Sequence, residues 1–139
     1  MKVMSDELKA LVKTNKAKSS GTLRGYKNGE RFLNSQSVHY LRAEEHDIII
    51  GSEQQGENFE QSWVVVLLPN DLDENEPEHV VDLHHEGARW GFQIRNEYYQ
   101  ATEGKVTFSY KAGKRGVSGI FELSSGNMEV DGYFNIWNK

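Results

Sequence analysis

The chain has 139 residues, a length that suits one hydrophobic core rather than two. Hydrophobic residues at 37% and aromatics at 11% suffice for that core and exclude whole-chain disorder, in spite of a mean hydropathy of -0.70. The absence of cysteine excludes a disulfide scaffold, a cysteine-ligated zinc or iron–sulfur centre and a cysteine nucleophile.

The formal net charge of -5 is spread unevenly. Residues 1–20 carry five lysines against Asp6 and Glu7, whereas residues 44–104 carry fifteen acidic residues against only Arg89 and Arg95. A dipolar molecule with an acidic middle repels nucleic acid, so none is expected as a partner. The opening residues lack the apolar stretch of about 7–15 residues of a secretory signal, and no later run approaches the roughly 20 residues of a membrane span. The expectation is a cytoplasmic protein with no membrane partner.

Residues 1–20 read as an N-terminal helix and linker, and residues 21–139 as a single antiparallel β domain. Ser5 is a helix N-cap followed by Asp6 and Glu7, which suit the positive end of the helix dipole. Leu8, Leu11 and Val12 give this helix, over about residues 6–16, one thin apolar stripe. Its lysines also make it a candidate basic arm for recruiting a partner.

From Gly21 onward, Gly-containing turns divide short segments rich in β-branched and aromatic residues. Asn28-Gly29 suits the two positive φ angles of a type I′ hairpin turn. Further strands are expected near residues 37–43, 47–52, 62–68, 79–84, 89–94, 98–101, 104–111, 116–123 and 128–137. The run WVVVLLP is apolar on both faces, so it is a central strand covered on both sides or one whose outer face meets the N-terminal helix or a second subunit. Val106, Phe108 and Tyr110, then Val117, Gly119, Phe121 and Leu123, then Met128, Val130, Gly132, Phe134 and Ile136 alternate with period two. The short turns between them predict a three-stranded meander. The fold class is therefore all-β: an antiparallel β-sandwich or partly closed β-barrel of about 8–10 strands, with one short N-terminal α-helix.

Gly21, Thr22, Asn28 and Gly29 near the start, with Gly104, Val106, Gly119, Phe121, Gly132 and Phe134 near the end, give a pattern that resembles the small uncharacterised bacterial β-sandwich or lipocalin-like proteins. The resemblance implies the same fold and brings no activity with it, because that family is functionally unassigned. Many of its members look like exported lipoproteins, and the first residues of this chain depart from that pattern.

Three segments carry candidate chemistry. In HVVDLHHEG an extended strand puts Asp82, His84 and Glu86 on one face, where with His79 they form a candidate site for a divalent metal. The stretch NDLDENEPEHVVD offers Asp71, Asp73, Asn75 and Asp82 at the spacing of a calcium loop, but Glu76 stands where the sharp turn needs glycine. Arg89, Arg95 and Tyr98 beside Trp90 and Phe92 interleave cations and aromatics that can stack on a ligand, and Tyr110, Tyr133 and Trp137 are candidates to line a barrel mouth. No nucleophile elbow and no phosphate-binding loop occurs. The favoured function is a non-enzymatic binding or protein-interaction module with no cofactor, taking a protein or small-molecule ligand, with a homodimer also open. A metal-dependent enzyme or sensor at Asp82, His84 and Glu86, and an adaptor recruited through the basic N-terminal helix, stand as alternatives.

Overall fold

The computed structural model describes residues 19–42, 46–58, 60–69, 71–83 and 89–138. These form eleven strands: β1 (Ser19–Lys27), β2 (Glu30–Ser35), β3 (Ser37–Arg42), β4 (His46–Gln55), β5 (Glu60–Pro69), β6 (His79–Asp82), β7 (Arg89–Ile94), β8 (Glu97–Gln100), β9 (Glu103–Lys111), β10 (Gly116–Ser125) and β11 (Met128–Asn138). They assemble into a six-stranded antiparallel sheet ordered β2-β1-β11-β10-β9-β6 and a five-stranded one ordered β3-β4-β5-β7-β8. The sheets stack as a sandwich and do not close into a barrel. The helix expected over residues 6–16 lies outside the described residues. Among the described residues there is no helix, and none therefore that is long and apolar enough to cross a membrane.

Local chemistry explains the hairpins. Asn28 and Gly29 both have positive φ, 52° and 80°, as a type I′ turn requires. The β7–β8 turn uses the same device without glycine: Arg95 and Asn96 sit at φ 45° and 74°. The Asn96 side chain holds that turn by accepting from the Gln61 backbone N–H at 2.9 Å, and the Arg95 N–H donates to Ser62 Oγ at 3.0 Å. The chain changes sheets at Gln36. There Ser35 Oγ has the Ser37 and Ser52 carbonyls in reach of its one proton, at 2.8 and 2.7 Å, and accepts from the Ser52 N–H, so the buried hydroxyl serves the corner.

The core lies between the sheets. It is built by alternate residues of each strand, including Leu23, Leu33, Ile49, Val64, Val66, Phe92, Val106, Phe108, Phe121, Phe134 and Ile136. The expected meander is β9-β10-β11, and its inward residues are those that period two selects. Two of its inward positions are glycines for a steric reason. Gly132 lies directly across from Phe121, and a Cβ there would collide first with the Arg24 backbone carbonyl of β1 and then with the Phe121 ring at 2.5 Å. Gly119 lies between Phe108 and Phe134 in register, and a Cβ there would meet Phe108 Cβ at 2.6 Å. The Phe121 ring thus occupies the space above Gly132, while Gly119 lets β9 approach closely through the Thr107 carbonyl and the Phe108 Cα and Cβ. Gly132→Ala is expected to overpack this layer and lower unfolding free energy by about 1–3 kcal/mol, read from the midpoint of a urea transition with unchanged slope. A midpoint equal to that of the unsubstituted chain would show that the Phe121 ring needs no glycine beneath it.

Candidate functional site: the outer face of the six-stranded sheet

The register that buries one side of the meander presents the other side to water. One cross-strand row on that face runs Val80–Thr107–Ile120–Tyr133–Arg24, from β6 to β1. Its large apolar members are open: Val80 is 58% exposed, Ile120 50% and Tyr133 38%. Trp137, four residues further along β11 on the same face, is 40% exposed. Bulky apolar side chains gathered in one row, rather than scattered, mark a contact surface.

The next row towards the β10–β11 turn is ionic. It runs Asp82–Lys105–Glu122–Asp131–Tyr26–Arg31 across all six strands. Asp82, Glu103, Lys105, Glu122, Glu129 and Asp131 border a shallow groove of about 640 Å³, so five carboxylates face one lysine. Lys105 separates Asp82 from Glu122, but Glu122 and Asp131 are direct cross-strand partners. Like charges in that relation destabilise a sheet, so the groove keeps a repulsion that the fold itself does not need.

Cations brace the aromatic part of the face. Arg24 donates to Tyr133 Oη at 2.7 Å and to Asn34 Oδ1 at 3.1 Å, with its guanidinium 5.8 Å from the Tyr133 ring centre. Tyr26, also on β1, stacks with Tyr133 at 6.4 Å. Lys111 donates to Asn135 Oδ1 at 2.6 Å and sits 4.9 Å from the Trp137 ring centre. Tyr133 and Trp137 are therefore held in fixed orientations, which lowers the entropy lost on contact with a partner.

A second polar centre lies inside the opposite end of the sandwich. Asp47 faces the core with a fully buried side chain and pairs with Arg42 at 3.1 Å. The Tyr40 and Tyr110 hydroxyls each lie 3.4 Å from its other oxygen. Burial raises the Asp47 pKa above the usual carboxylate value, an effect partly offset by Arg42 and Lys114. Burial, with the neighbouring Asp47 charge, pushes both tyrosines up as well. Tyr40 and Asp47 belong to one sheet and Tyr110 to the other, so the cluster ties the sheets together. Its groups are proton holders with no nucleophile among them.

The residues singled out from sequence separate in space. Tyr133 and Trp137 share the outer face, but Tyr110 points inward to Asp47, so the three line no common mouth: an odd number of residues along the strands or a change of sheet reverses the face. Tyr98 lies on the outer face of the five-stranded sheet against Trp63 at 5.4 Å, and Arg95 caps the β7–β8 turn with its Nε 3.3 Å from Glu60. Arg89 is placed as the first residue of β7, opposite Leu67. His79 does not join Asp82, because residues three apart in a strand face opposite ways. His79 is buried between Phe108 and Tyr110 with Nε2 2.7 Å from the Asp73 carbonyl, whereas Asp82 is in the exposed groove. His84 and Glu86 lie outside the described residues. Of the calcium-loop residues, Asp73 uses its Oδ1 to accept from the Asn75 N–H, a local turn contact. Among the described residues no group of three or more His, Asp or Glu side chains is arranged to hold a metal ion. Sequence reading named Tyr133 and Trp137 but missed Val80, Ile120, Glu122 and Asp131; the alternation that assigned Phe121 and Phe134 to the core already placed Ile120, Glu122 and Tyr133 on the opposite side. Comparison with known protein families, with curated proteins and with solved structures finds no match.

Two measurements check these assignments. Asp131→Asn removes the Glu122 repulsion while leaving Lys105 its partners, and is expected to stabilise the fold by about 0.2–1 kcal/mol in urea unfolding; a loss of stability would mean that the two carboxylates do not oppose each other. Asp47 has a folded-state pKa above its unfolded value of 3.8, so the folded chain holds that proton more tightly. Stability from this group is full below about pH 4 and is lost as pH rises through the raised pKa. The melting temperature of Asp47→Asn should therefore gain on that of the unsubstituted chain as pH increases from about 4 to 7. A constant gap would place Asp47 in contact with solvent.

Proposed function

We propose that the protein is a non-enzymatic interaction module that takes a cationic, partly apolar segment of a partner protein on the outer face of its six-stranded sheet. The observation that carries this reading is the exposed Val80–Ile120–Tyr133 row set directly beside a groove with five carboxylates and one lysine. The apolar row supplies contact area that gains from leaving water. The carboxylates select the sign of the partner and speed its approach. Strands spaced about 4.8 Å apart and rising about 3.3 Å per residue make the face roughly 25 by 30 Å, close to the roughly 800 Å² that each side of a standard interface buries. The unrelieved Glu122–Asp131 pair fits the same reading, since an arrangement that costs stability in isolation is relieved when a cation arrives. An anionic nucleic acid fits this face badly.

A simple probe tests the reading: a synthetic peptide alternating lysine and valine, compared with one alternating glutamate and valine, titrated into the isotope-labelled full chain. The lysine peptide should shift amide resonances on β9, β10 and β11 and lose affinity as salt rises. Ile120→Glu and Asp131→Asn should each weaken binding about fivefold or more, the loss of roughly 1 kcal/mol. Equal binding of the glutamate peptide, or shifts centred elsewhere, would overturn the proposal.

A further inference from the structure

A sheet ends in strands whose outward N–H and C=O groups have no strand beside them, and folded chains close or guard such edges. The edge strands here are β2 and β6 of one sheet and β3 and β8 of the other. Side chains close β2, where the Asn34 N–H donates to Glu53 Oε1 at 3.1 Å and the Phe32 carbonyl accepts from Gln55 Nε2 at 2.7 Å. They close β3 as well: the Tyr40 N–H donates to Ser19 Oγ at 3.1 Å and its carbonyl accepts from Asn138 Nδ2 at 2.9 Å. Strand β6 has no such closure among the described residues. The Leu83 N–H donates to the Gly104 carbonyl at 3.0 Å, which sets the phase of the ladder, so His79, Val81 and Leu83 turn their backbone groups to β9. Val80 and Asp82 therefore turn theirs away from the sheet. Their side chains stand on the outer face, Val80 58% exposed and Asp82 exposed as well. On β8 the rows that end at Tyr98 and Gln100 run through Gln93 to Trp63 and through Gly91 to Val65, with no charged side chain to select a partner.

We propose that the partner segment is anchored at β6, adding to the six-stranded sheet as a further antiparallel strand that pairs an apolar residue with Val80 and a lysine or arginine with Asp82. This rests on the reading that the outer face of the same sheet takes a cationic, partly apolar segment, and it names how that segment attaches. Residues directly opposite each other on neighbouring strands share a face. An added strand thus extends the Val80–Thr107–Ile120–Tyr133 row and the Asp82–Lys105–Glu122–Asp131 row by one member each. The sequence demanded of the partner is an apolar and a cationic residue two positions apart. Its main-chain hydrogen bonds to Val80 and Asp82 supply affinity, and the two side chains supply selection. Charge argues against a second copy of this chain as the occupant. Glu78 and Asp82 flank Val80, and both are exposed. Pairing β6 with itself sets either Asp82 opposite Glu78 or Asp82 opposite Val80, so an acid meets an acid or an apolar side chain. A strand bearing a cation at that position meets neither penalty.

Peptides of one composition test the pattern. A repeat of valine, threonine, lysine, threonine puts valine and lysine on one face of a strand, whereas valine, lysine, threonine, threonine puts them on opposite faces. Titrated into the isotope-labelled full chain, the first repeat should bind about fivefold or more tighter than the second. It should also slow exchange of the Val80 and Asp82 N–H groups by about tenfold or more. In the added strand the valine and lysine N–H groups face β6, so N-methylation at those residues should abolish binding, while as many N-methyl groups on threonine leave it intact. Val80→Pro removes an N–H that the β6–β9 ladder does not use and should abolish binding with the β9, β10 and β11 resonances in place. Should Val80→Pro unfold β6, the two methylated peptides decide. Equal affinity of the two repeats, or equal loss with either methylation pattern, would overturn the proposal. So would protection of Val80 and Asp82 that rises with protein concentration in the absence of peptide, which would assign the edge to a second copy. Peptide shifts on β9, β10 and β11 without protection at β6 would overturn the added strand and leave the outer-face reading standing. No binding by any lysine peptide would overturn both.

Discussion

The close packing of Phe121 and Phe108 against the glycines of the β9-β10-β11 meander fixes everything outward of it. Phe121 seats its ring above Gly132, and Gly119 takes the close approach of the Phe108 Cα and Cβ, in this register. A slip by one residue would turn the aromatic layer out to water and bring Glu122 and Asp131 into the core. The core contact therefore specifies more than stability. It sets Ile120 beside Tyr133 and Glu122 beside Asp131, so the exposed row and the acidic groove are the reverse side of the packing that holds the sandwich together.

The two outer faces show how the same strand chemistry takes opposite roles. On the five-stranded sheet, alternate positions are Ile, Val, Leu and Trp, with nothing charged at the centre of the patch, and they are buried. On the six-stranded sheet the apolar positions are fewer, braced by Arg24 and Lys111, and bordered by carboxylates. A face that is apolar throughout gains most from being buried. A face that mixes an apolar row with one sign of charge keeps its solubility while empty, as a reversible contact requires.

Strand positions were legible because each strand carries its own local instruction. Period two marks the meander, Asn28-Gly29 marks the first hairpin, and WVVVLLP is apolar on both sides because Val64, Val66 and Leu68 are buried on one face of β5 and Trp63 and Val65 on the other. What alternation cannot convey is which face of which strand meets which other strand. That depends on pairings such as β1 with β11, more than a hundred residues apart. Two groupings go against alternation itself: Tyr110 shares the inward period of Phe108 while Tyr133 faces the side opposite to Phe134, and His79 stands three residues from Asp82 on the other face of β6. The β7–β8 turn escaped notice for a different reason: Arg95 and Asn96 adopt positive φ without glycine, held by Ser62 and Gln61 from a strand some thirty residues earlier.

Asp47 and Asp131 give the clearest contrast in what an acid does in this molecule. Asp47 is removed from water, and every compensation that physics offers a buried carboxylate is present: an arginine at 3.1 Å and two tyrosine hydroxyls, one from each sheet. Its partners come from within the chain and only partly offset the cost of burial, so it acts as a tie between the sheets. Asp131 stands on an exposed face next to Glu122, and its register neighbour on the other side is Tyr26 rather than a cation. Its charge is unmatched where a partner can reach it. The difference between an acid completed by its own fold and one left incomplete on a shaped, accessible face locates the interaction site, and it does so without any catalytic constellation.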